Sequence, residues 1–240
     1  MSQKIFITGS ADGLGSLAAQ ALAKKGHRVT LHARNAQRAQ DAEKACPGAD
    51  EALVADLSSL EETKQLADEL NNKGPWDAII HNAGVMRSGP IFATNTLAPY
   101  VLACLVQPPP KRLVFLSSML HQGGDPSLRD IQNCGYGDSK LHNTMMAFAF
   151  AKRYGPKGVT VTSLDPGWVP TKMGGAGATG DIQASVKSYV SLAEGTAQGA
   201  GGQHWYHQGK KSFHQGAADV QAQEKLLKEL ESISGVSIPA

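Results

Sequence analysis

Short apolar runs alternate with amphipathic helical patterns along most of the 240-residue chain. Apolar runs lie at 4–8, 27–33, 52–56, 76–82, 111–118 and 158–166, with a further short one at 203–206. Helical patterns lie at 14–25, 35–45, 58–72, 135–154 and 219–233. Repeated βα units with continuous apolar strands are typical of a parallel sheet covered on both faces. The pattern predicts one α/β domain over 1–240, a doubly wound parallel sheet of about seven strands.

A glycine-rich loop, TGSADGLG, joins the first predicted strand to the first helix. Glycine lets the backbone turn tightly and approach a pyrophosphate, which then meets the free N–H groups and positive dipole of the helix N-terminus. Glycine triplets are common in ordinary turns, but this position in a βαβ unit favours a dinucleotide site. We expect the cofactor to contact Gly9, Ser10, Asp12, Gly13, Leu14 and Gly15.

The end of the second strand, LHARN, bears on which dinucleotide binds. A carboxylate there would bind the ribose 2′-hydroxyl and repel a 2′-phosphate, whereas an arginine does the opposite. The stretch has no carboxylate and contains Arg34, with Arg38 four residues on. The alternative is a solvated arginine without a ligand. The charge pattern predicts NADP(H) rather than NAD.

The glycine loop is one of several motifs that occur together. They are TGSADGLG (8–15), ADL (55–57), HNAG (81–84), NTLAP (95–99), SS (117–118), YGDSK (136–140) and DPGWVPT (165–171). With these motifs, the chain from Lys4 to about Met173 resembles the short-chain dehydrogenase/reductase family. It looks closest to its NADP-dependent branch of retinol-dehydrogenase-like and daunorubicin-ketoreductase-like proteins. The resemblance implies a Rossmann fold with strand order 3-2-1-4-5-6-7.

The resemblance also assigns residues to the cofactor. It implies that Asp56 and Leu57 contact the adenine, and that Asn82, Ala83 and Gly84 line the cofactor after the fourth strand. At the nicotinamide end it implies contacts from Pro166, Gly167, Val169 and Thr171. The implied activity is NADPH-dependent reduction of a carbonyl to an alcohol, or the reverse.

Tyr136 and Lys140 stand four residues apart on a predicted helix and therefore share a face. An ammonium near a phenol favours the phenolate and lowers a pKa that is ordinarily about 10. The resemblance makes Tyr136 the general acid/base, Ser118 a hydrogen-bond donor to the substrate oxygen and Lys140 a ligand of the nicotinamide ribose. Ser117 is the alternative candidate for the catalytic serine, if the motif is aligned one residue earlier. Asn95 is expected to hold a water that relays protons behind Lys140.

Two loops border this predicted site. The stretch 119–135 is longer than the family pattern, and its His121 and Arg129 are candidate substrate contacts or ordinary loop residues. The stretch 168–200 is glycine-rich at its start, which favours a lid over the substrate. In it, Trp168 and Met173 are candidate pocket walls, and a core role is the alternative for Trp168.

Composition excludes several other classes. The 23 basic and 21 acidic residues are interspersed, unlike the clustered excess of a nucleic-acid surface. The apolar runs are too short for a membrane span, and the three cysteines lack C-x-x-C spacing, so a cytoplasmic protein is expected. The histidines near 204–214 lack ligand spacing, so no metal is expected. Oligomeric state stays open, because three consecutive prolines at 108–110 interrupt a helix that builds a dimer interface in many relatives.

Two alternatives to a general carbonyl reductase remain. One is a non-catalytic NADP-binding regulator or scaffold. The full set of Asn95, Ser118, Tyr136 and Lys140 argues against it, because a sensor does not need a proton donor at the nicotinamide. The other is a reductase that acts on a secondary-metabolite intermediate, which the altered loops suggest.

Overall fold

A single eight-stranded sheet forms the centre of the computed structural model, which describes residues 1–87 and 89–239. The strand order is β3-β2-β1-β4-β5-β6-β7-β8, parallel except for the last pair. The strands are β1 (Lys4–Ile7), β2 (Arg28–Ala33), β3 (Glu51–Val54), β4 (Ala78–His81), β5 (Arg112–Leu116), β6 (Thr160–Asp165), β7 (His204–Tyr206) and β8 (Gly209–Lys210). The predicted doubly wound fold is confirmed, with β8 added as a two-residue antiparallel strand.

Helices cover both faces of the sheet. The α-helices are α1 (Gly13–Lys24), α2 (Ala36–Ala45), α3 (Leu60–Lys73), α4 (Ala98–Leu105), α5 (Tyr136–Tyr154), α6 (Ile182–Glu194) and α7 (Val220–Ser234). One apolar core lies between the sheet and α1 with α6, and the other lies beneath α3, α4, α5 and α7. The central strands β1, β2, β4, β5 and β6 are buried on both faces, which explains their continuous apolar sequences. The edge strands β3 and β8 are partly exposed.

The helix starts follow local capping chemistry. Asp12, Asn35 and Ser59 each accept a hydrogen bond from a backbone N–H in the first turn of the helix that follows. Ser59 rather than Ser58 therefore caps α3. The carboxylate of Glu62 accepts the backbone N–H of Asp56 at 2.7 Å rather than that of Ser59, so only half of a capping box forms at α3.

The predicted lid over 168–200 is not one uniform segment. Its second half contains α6, which is largely buried against the sheet and α1. The stretch before Asp181, the residue that caps α6, and the stretch after Glu194 lie outside regular structure. Among residues 1–87 and 89–239, no helix combines the length and apolarity that crossing a membrane demands.

Candidate active site

The glycine loop runs across the carboxyl end of β1 in direct contact with the loop after β4. Gly9 has a φ of +64°, and a Cβ there would lie 2.8 Å from the Cα of Ala83. A Cβ at Gly15 would lie 2.4 Å from Nδ2 of Asn82. Side chains at either position would therefore collide with the neighbouring loop. Glycine at both positions allows this close approach and leaves the N-terminus of α1 open to a phosphate group.

Polar side chains hold this loop in place. Thr8 Oγ1 accepts the backbone N–H groups of Asn82 and Ala83 at 2.9 and 3.0 Å. The amide of Asn82 donates to the carbonyls of Thr8 and Gly9, and its Oδ1 accepts the hydroxyl of Tyr189 at 2.8 Å. Asn82, which the resemblance assigned to the cofactor, thus directs its side chain into the protein framework.

His32 on β2 is a part of this framework that the sequence did not indicate. Its Nδ1 accepts the backbone N–H of Gly9 at 2.9 Å, so its Nε2 carries the proton and donates to the Ala55 carbonyl at 3.0 Å. Burial lowers the pKa of His32 to about 4. The ring therefore stays neutral near pH 7 and keeps both bonds.

Positive side chains gather where the glycine loop meets the second strand. Asp12 caps α1 and is 2.8 Å from Lys172 and 3.5 Å from Arg38. The hydrogen bond from Lys172 is the largest influence on the carboxyl and, with other bonds, holds the pKa of Asp12 below its usual range. Arg34 is exposed at the end of β2. The sequence did not indicate that Lys172, from the predicted lid, would reach this loop.

The two predicted adenine contacts differ in environment. The carboxylate of Asp56 accepts the backbone N–H and the hydroxyl of Ser58, and these bonds hold its pKa below the usual range. The side chain of Leu57 is buried in the core at 5% exposure. Only the backbone of Leu57 is therefore left to meet an adenine.

Lys140 and Asn95 meet beside Gly84. A Cβ at Gly84 would lie 3.4 Å from both Nζ of Lys140 and Oδ1 of Asn95. The ammonium donates to the Leu116 carbonyl at 2.9 Å, and burial lowers the pKa of Lys140 to about 8. Asn95 lies in a π-helical turn, Phe92–Leu97, a distortion that is frequent at functional sites.

The side chain of Asn95 is occupied by protein groups. Its Oδ1 accepts the backbone N–H of Val85 at 2.8 Å, while its Nδ2 donates to the Val85 carbonyl and to Oγ of Ser139. A water bound to Asn95 would therefore use the second lone pair of Oδ1. The water relay stays a prediction.

Tyr136 begins α5 and lies half-buried beside Ser118. Burial raises the pKa of Tyr136 to about 12, a hydrogen bond with Ser118 opposes the rise, and the charge of Asp165 adds to it. The ammonium of Lys140 lies 5.4 Å from the ring centre and does not reverse this effect. The expectation of a lowered pKa is therefore wrong for this arrangement. The Tyr136 hydroxyl points at the sulfur of Met173, 3.9 Å away.

The two serines after β5 face different surroundings. Ser117 is buried, and its hydroxyl donates to the Lys140 carbonyl at 3.0 Å and accepts from Thr144 at 2.9 Å. Ser118 is partly exposed and lies close enough to Tyr136 to oppose the rise in the pKa of the phenol. Between the two registers, Ser118 is the one beside the phenol.

The segment after β6 borders the same opening. Asp165 is buried, accepts the backbone N–H of Gly167 and pairs with Lys211 at 3.0 Å. Pro166 accepts the hydroxyl of Ser185 through its carbonyl. The sequence did not predict the ion pair of Asp165 with Lys211, because the two residues are 46 positions apart along the chain.

The remaining residues of this segment fix its path. The side chain of Val169 is buried at 4% exposure, and the hydroxyl of Thr171 accepts the backbone N–H of Gly174. Trp168 is 56% exposed, so its alternative core role is wrong. Its indole N–H donates to the Gly174 carbonyl, which ties it to the turn that carries Met173.

The two candidates in the longer loop have opposite environments. His121 is 1% exposed, and its ring nitrogens bond the Ser118 carbonyl and the His214 backbone N–H. Arg129 has an 83% exposed side chain and bonds Asp125 and Ser127 of its own loop. His121 is thus a buried histidine that hydrogen-bonds the backbone of a candidate catalytic serine.

Comparisons with known proteins identify the family to which the chain belongs. The short chain dehydrogenase family profile matches residues 3–180. An uncharacterized oxidoreductase of Emericella nidulans is 46% identical, with 98% of each chain covered, and the short-chain dehydrogenase chyC of Penicillium rubens is 42% identical over 99% of each. An NADPH-bound carbonyl reductase from chicken fatty liver shares the fold, with a TM-score of 0.71, 21% identity, and coverage of 88% of this chain and 94% of its own. The chain is therefore an oxidoreductase of the short-chain dehydrogenase/reductase family, which uses nicotinamide cofactors.

Proposed function

We propose that this chain is an NADPH-dependent reductase that converts a carbonyl to an alcohol, or runs the reverse reaction, with Tyr136 as the general acid/base. The observation that carries the proposal is the meeting of Ser118, Tyr136 and Lys140 at the carboxyl end of the sheet. This meeting place is one loop away from the glycine loop, because Gly84 touches Lys140 and its neighbour Ala83 touches Gly9.

Each side chain has a distinct role in that reaction. When bound, the nicotinamide supplies or accepts the hydride. Tyr136 donates its proton to the developing alkoxide, and its raised pKa keeps the phenol protonated near neutral pH. Ser118 donates a hydrogen bond to the same oxygen. The ammonium of Lys140 stabilises the negative charge that forms on the phenol oxygen.

The cofactor is held by the glycine loop and two arginines. A pyrophosphate at the N-terminus of α1 would meet the free N–H groups of the helix and Lys172 nearby. A 2′-phosphate would form an ion pair with Arg34 and compete with Asp12 for the guanidinium of Arg38. Since β2 ends without a carboxylate, the end of the strand itself does not repel the phosphate.

The opening around Tyr136 is apolar. Met119 and Leu120 directly follow Ser118, while Trp168 and Met173 belong to the segment that contacts the Tyr136 hydroxyl, and all four side chains are exposed. Exposed apolar side chains that border a reactive group mark a site for an apolar ligand. We therefore expect a carbonyl substrate with a large apolar body, which the reductase of a secondary-metabolite intermediate would also require.

A panel of ketones and aldehydes with increasing apolar area tests the proposal. We expect NADPH to be consumed in the presence of at least one member, with NADH consumed much more slowly. Rates should rise with the apolar area of the substrate. A protein that binds NADPH tightly but consumes it with none of the panel would support the regulator or scaffold instead.

A further inference from the structure

A buried histidine holds the backbone of the serine beside Tyr136. Nε2 of His121 accepts the backbone N–H of His214 at 3.1 Å, so the ring proton lies on Nδ1. Nδ1 therefore donates to the Ser118 carbonyl, 2.5 Å away. A second proton, on Nε2, would place the ring N–H against the backbone N–H of His214. Burial, which lowers the pKa of His121, favours this neutral form.

The bond from His121 joins segments that are far apart in sequence. His214 lies 93 residues downstream, at the start of the 3-10 turn Gln215–Ala218. Nearby, Gln122 donates to the Ser212 carbonyl at 3.4 Å, and a Cβ at Gly216 would lie 2.6 Å from Cβ of Pro126. We call residues 212–218 the C-terminal brace. It lies outside the stretch 3–180 that the family profile matches.

The brace itself is anchored in the core. Phe213 packs edge-on against Phe148 of α5, with ring centres 4.8 Å apart. His204 lies 4.6 Å from the His121 ring and bonds the hydroxyl of Ser163 at 2.9 Å. His121 is therefore enclosed by β7, the brace and its own loop, and its orientation has little freedom.

The orientation of the Ser118 peptide decides where the serine hydroxyl points. The carbonyl of Ser118 accepts both the ring Nδ1–H and the backbone N–H of His121, the latter at 3.0 Å. Its hydroxyl accepts the backbone N–H of Leu120 at 3.3 Å and lies near Tyr136, where it opposes the rise in the pKa of the phenol. Without the imidazole, the Ser118 carbonyl loses one partner and the His214 N–H loses its acceptor, which removes two restraints on this turn.

We propose that His121 is a positioning residue for Ser118, and that the C-terminal brace completes the active site by holding His121 in place. The imidazole touches neither substrate nor cofactor, and it acts through the serine. The inference rests on the proposed function for its kinetic consequence, but the contact itself can be tested without turnover.

A double-mutant cycle of His121→Ala and Ser118→Ala measures this dependence. We expect His121→Ala to lower kcat about ten- to hundred-fold when Ser118 is present, because small displacements of reacting groups have effects of this size. In the Ser118→Ala background the same change should have almost no effect on kcat. The KM for NADPH should stay constant throughout. Equal losses in both backgrounds would overturn the proposal.

Two further variants separate positioning from stability. His121→Asn keeps a side-chain N–H near the Nδ1 position and should restore most of kcat. His27→Ala is the matched control, because His27 also accepts a backbone N–H and has a second polar partner, Glu194. It should lower the melting temperature without changing kcat per folded molecule. A similar loss of kcat in this control would contradict the proposal.

Hydrogen exchange provides the readout that needs no substrate. Amide protons in 118–124 and 212–218 should exchange faster together in His121→Ala, and the first segment should be protected again in His121→Asn. Unchanged exchange in 118–124 would overturn the positioning role even in an active enzyme. Coupled exchange in a protein that turns over no carbonyl would support the His121 contact and count against the proposed function alone.

Discussion

The two sides of the active-site cleft are built in different ways. On the cofactor side, Gly9, Asn82 and His32 meet through adjacent parallel strands, and most of the polar groups involved are backbone groups. On the substrate side, pairs such as His121 with His214 and Asp165 with Lys211 join segments that are far apart in sequence. The first side therefore depends on strand order, whereas the second depends on how the chain after β6 returns to the sheet.

A change at Gly9 should have the largest effect on the cofactor side. Gly9→Ala places a Cβ 2.8 Å from the Ala83 backbone at a φ of +64°, which should cost about 2 kcal/mol or more of stability and abolish NADPH binding. Calorimetry and a fluorescence titration would measure both. Gly155→Ala is the control, because a Cβ there meets nothing within 4 Å and φ is ordinary. NADPH binding retained in Gly9→Ala would contradict the close approach.

A substitution at Arg34 tests the role of positive charge on the cofactor side. Arg34→Glu should weaken NADPH binding by about ten- to hundred-fold, since it replaces an attraction to the 2′-phosphate with a repulsion. NADH binding should change little, and competition titrations of the two cofactors would show this. If both affinities fall equally, Arg34 serves the fold rather than the 2′-phosphate.

The pH dependence of turnover tests the charge of Lys140, which lies between the cofactor side and the substrate side. Lys140 has a pKa lowered to about 8 by burial, so its charge is present below pH 8 and is lost above it. We expect kcat/KM for carbonyl reduction to be level near neutrality and to fall as the pH rises through about 8, because a neutral amine no longer stabilises the phenol oxygen. A fall centred near 10.5, the pKa of an exposed lysine, would show that Lys140 is not desolvated in the working enzyme.

Met173 should show the smallest effect, and it lies on the substrate side. Met173→Leu keeps the apolar volume but removes the sulfur that faces the Tyr136 hydroxyl. We expect KM for an apolar carbonyl to change less than about fivefold, with NADPH affinity unchanged. Met173→Asp is the contrasting variant and should raise KM strongly for apolar substrates alone. An equal rise for small polar carbonyls would argue against an apolar opening.

Local patterns predicted the main elements of the cofactor side, although not the contacts of His32 and Lys172 with the glycine loop. The glycine loop, the strand order and the i, i+4 relation of Tyr136 and Lys140 depend on short stretches or on strand adjacency. The pKa of Tyr136 was not predictable, because burial outweighs Lys140 once the ammonium is directed at the Leu116 carbonyl. Nor was the burial of His121, since nothing near it in sequence indicates a partner 93 residues away.

A titration of NADPH against Tyr136→Phe, with turnover followed in the same samples, tests whether Tyr136 is the general acid/base. We predict an affinity within about twofold of the unaltered protein, because the cofactor side is intact. We also predict a loss of turnover of at least about a hundredfold, because general acid catalysis contributes on that order. Full turnover in Tyr136→Phe would contradict the role of the phenol. A loss of NADPH binding as large as the loss of turnover would show that Tyr136 serves the cofactor rather than the proton transfer.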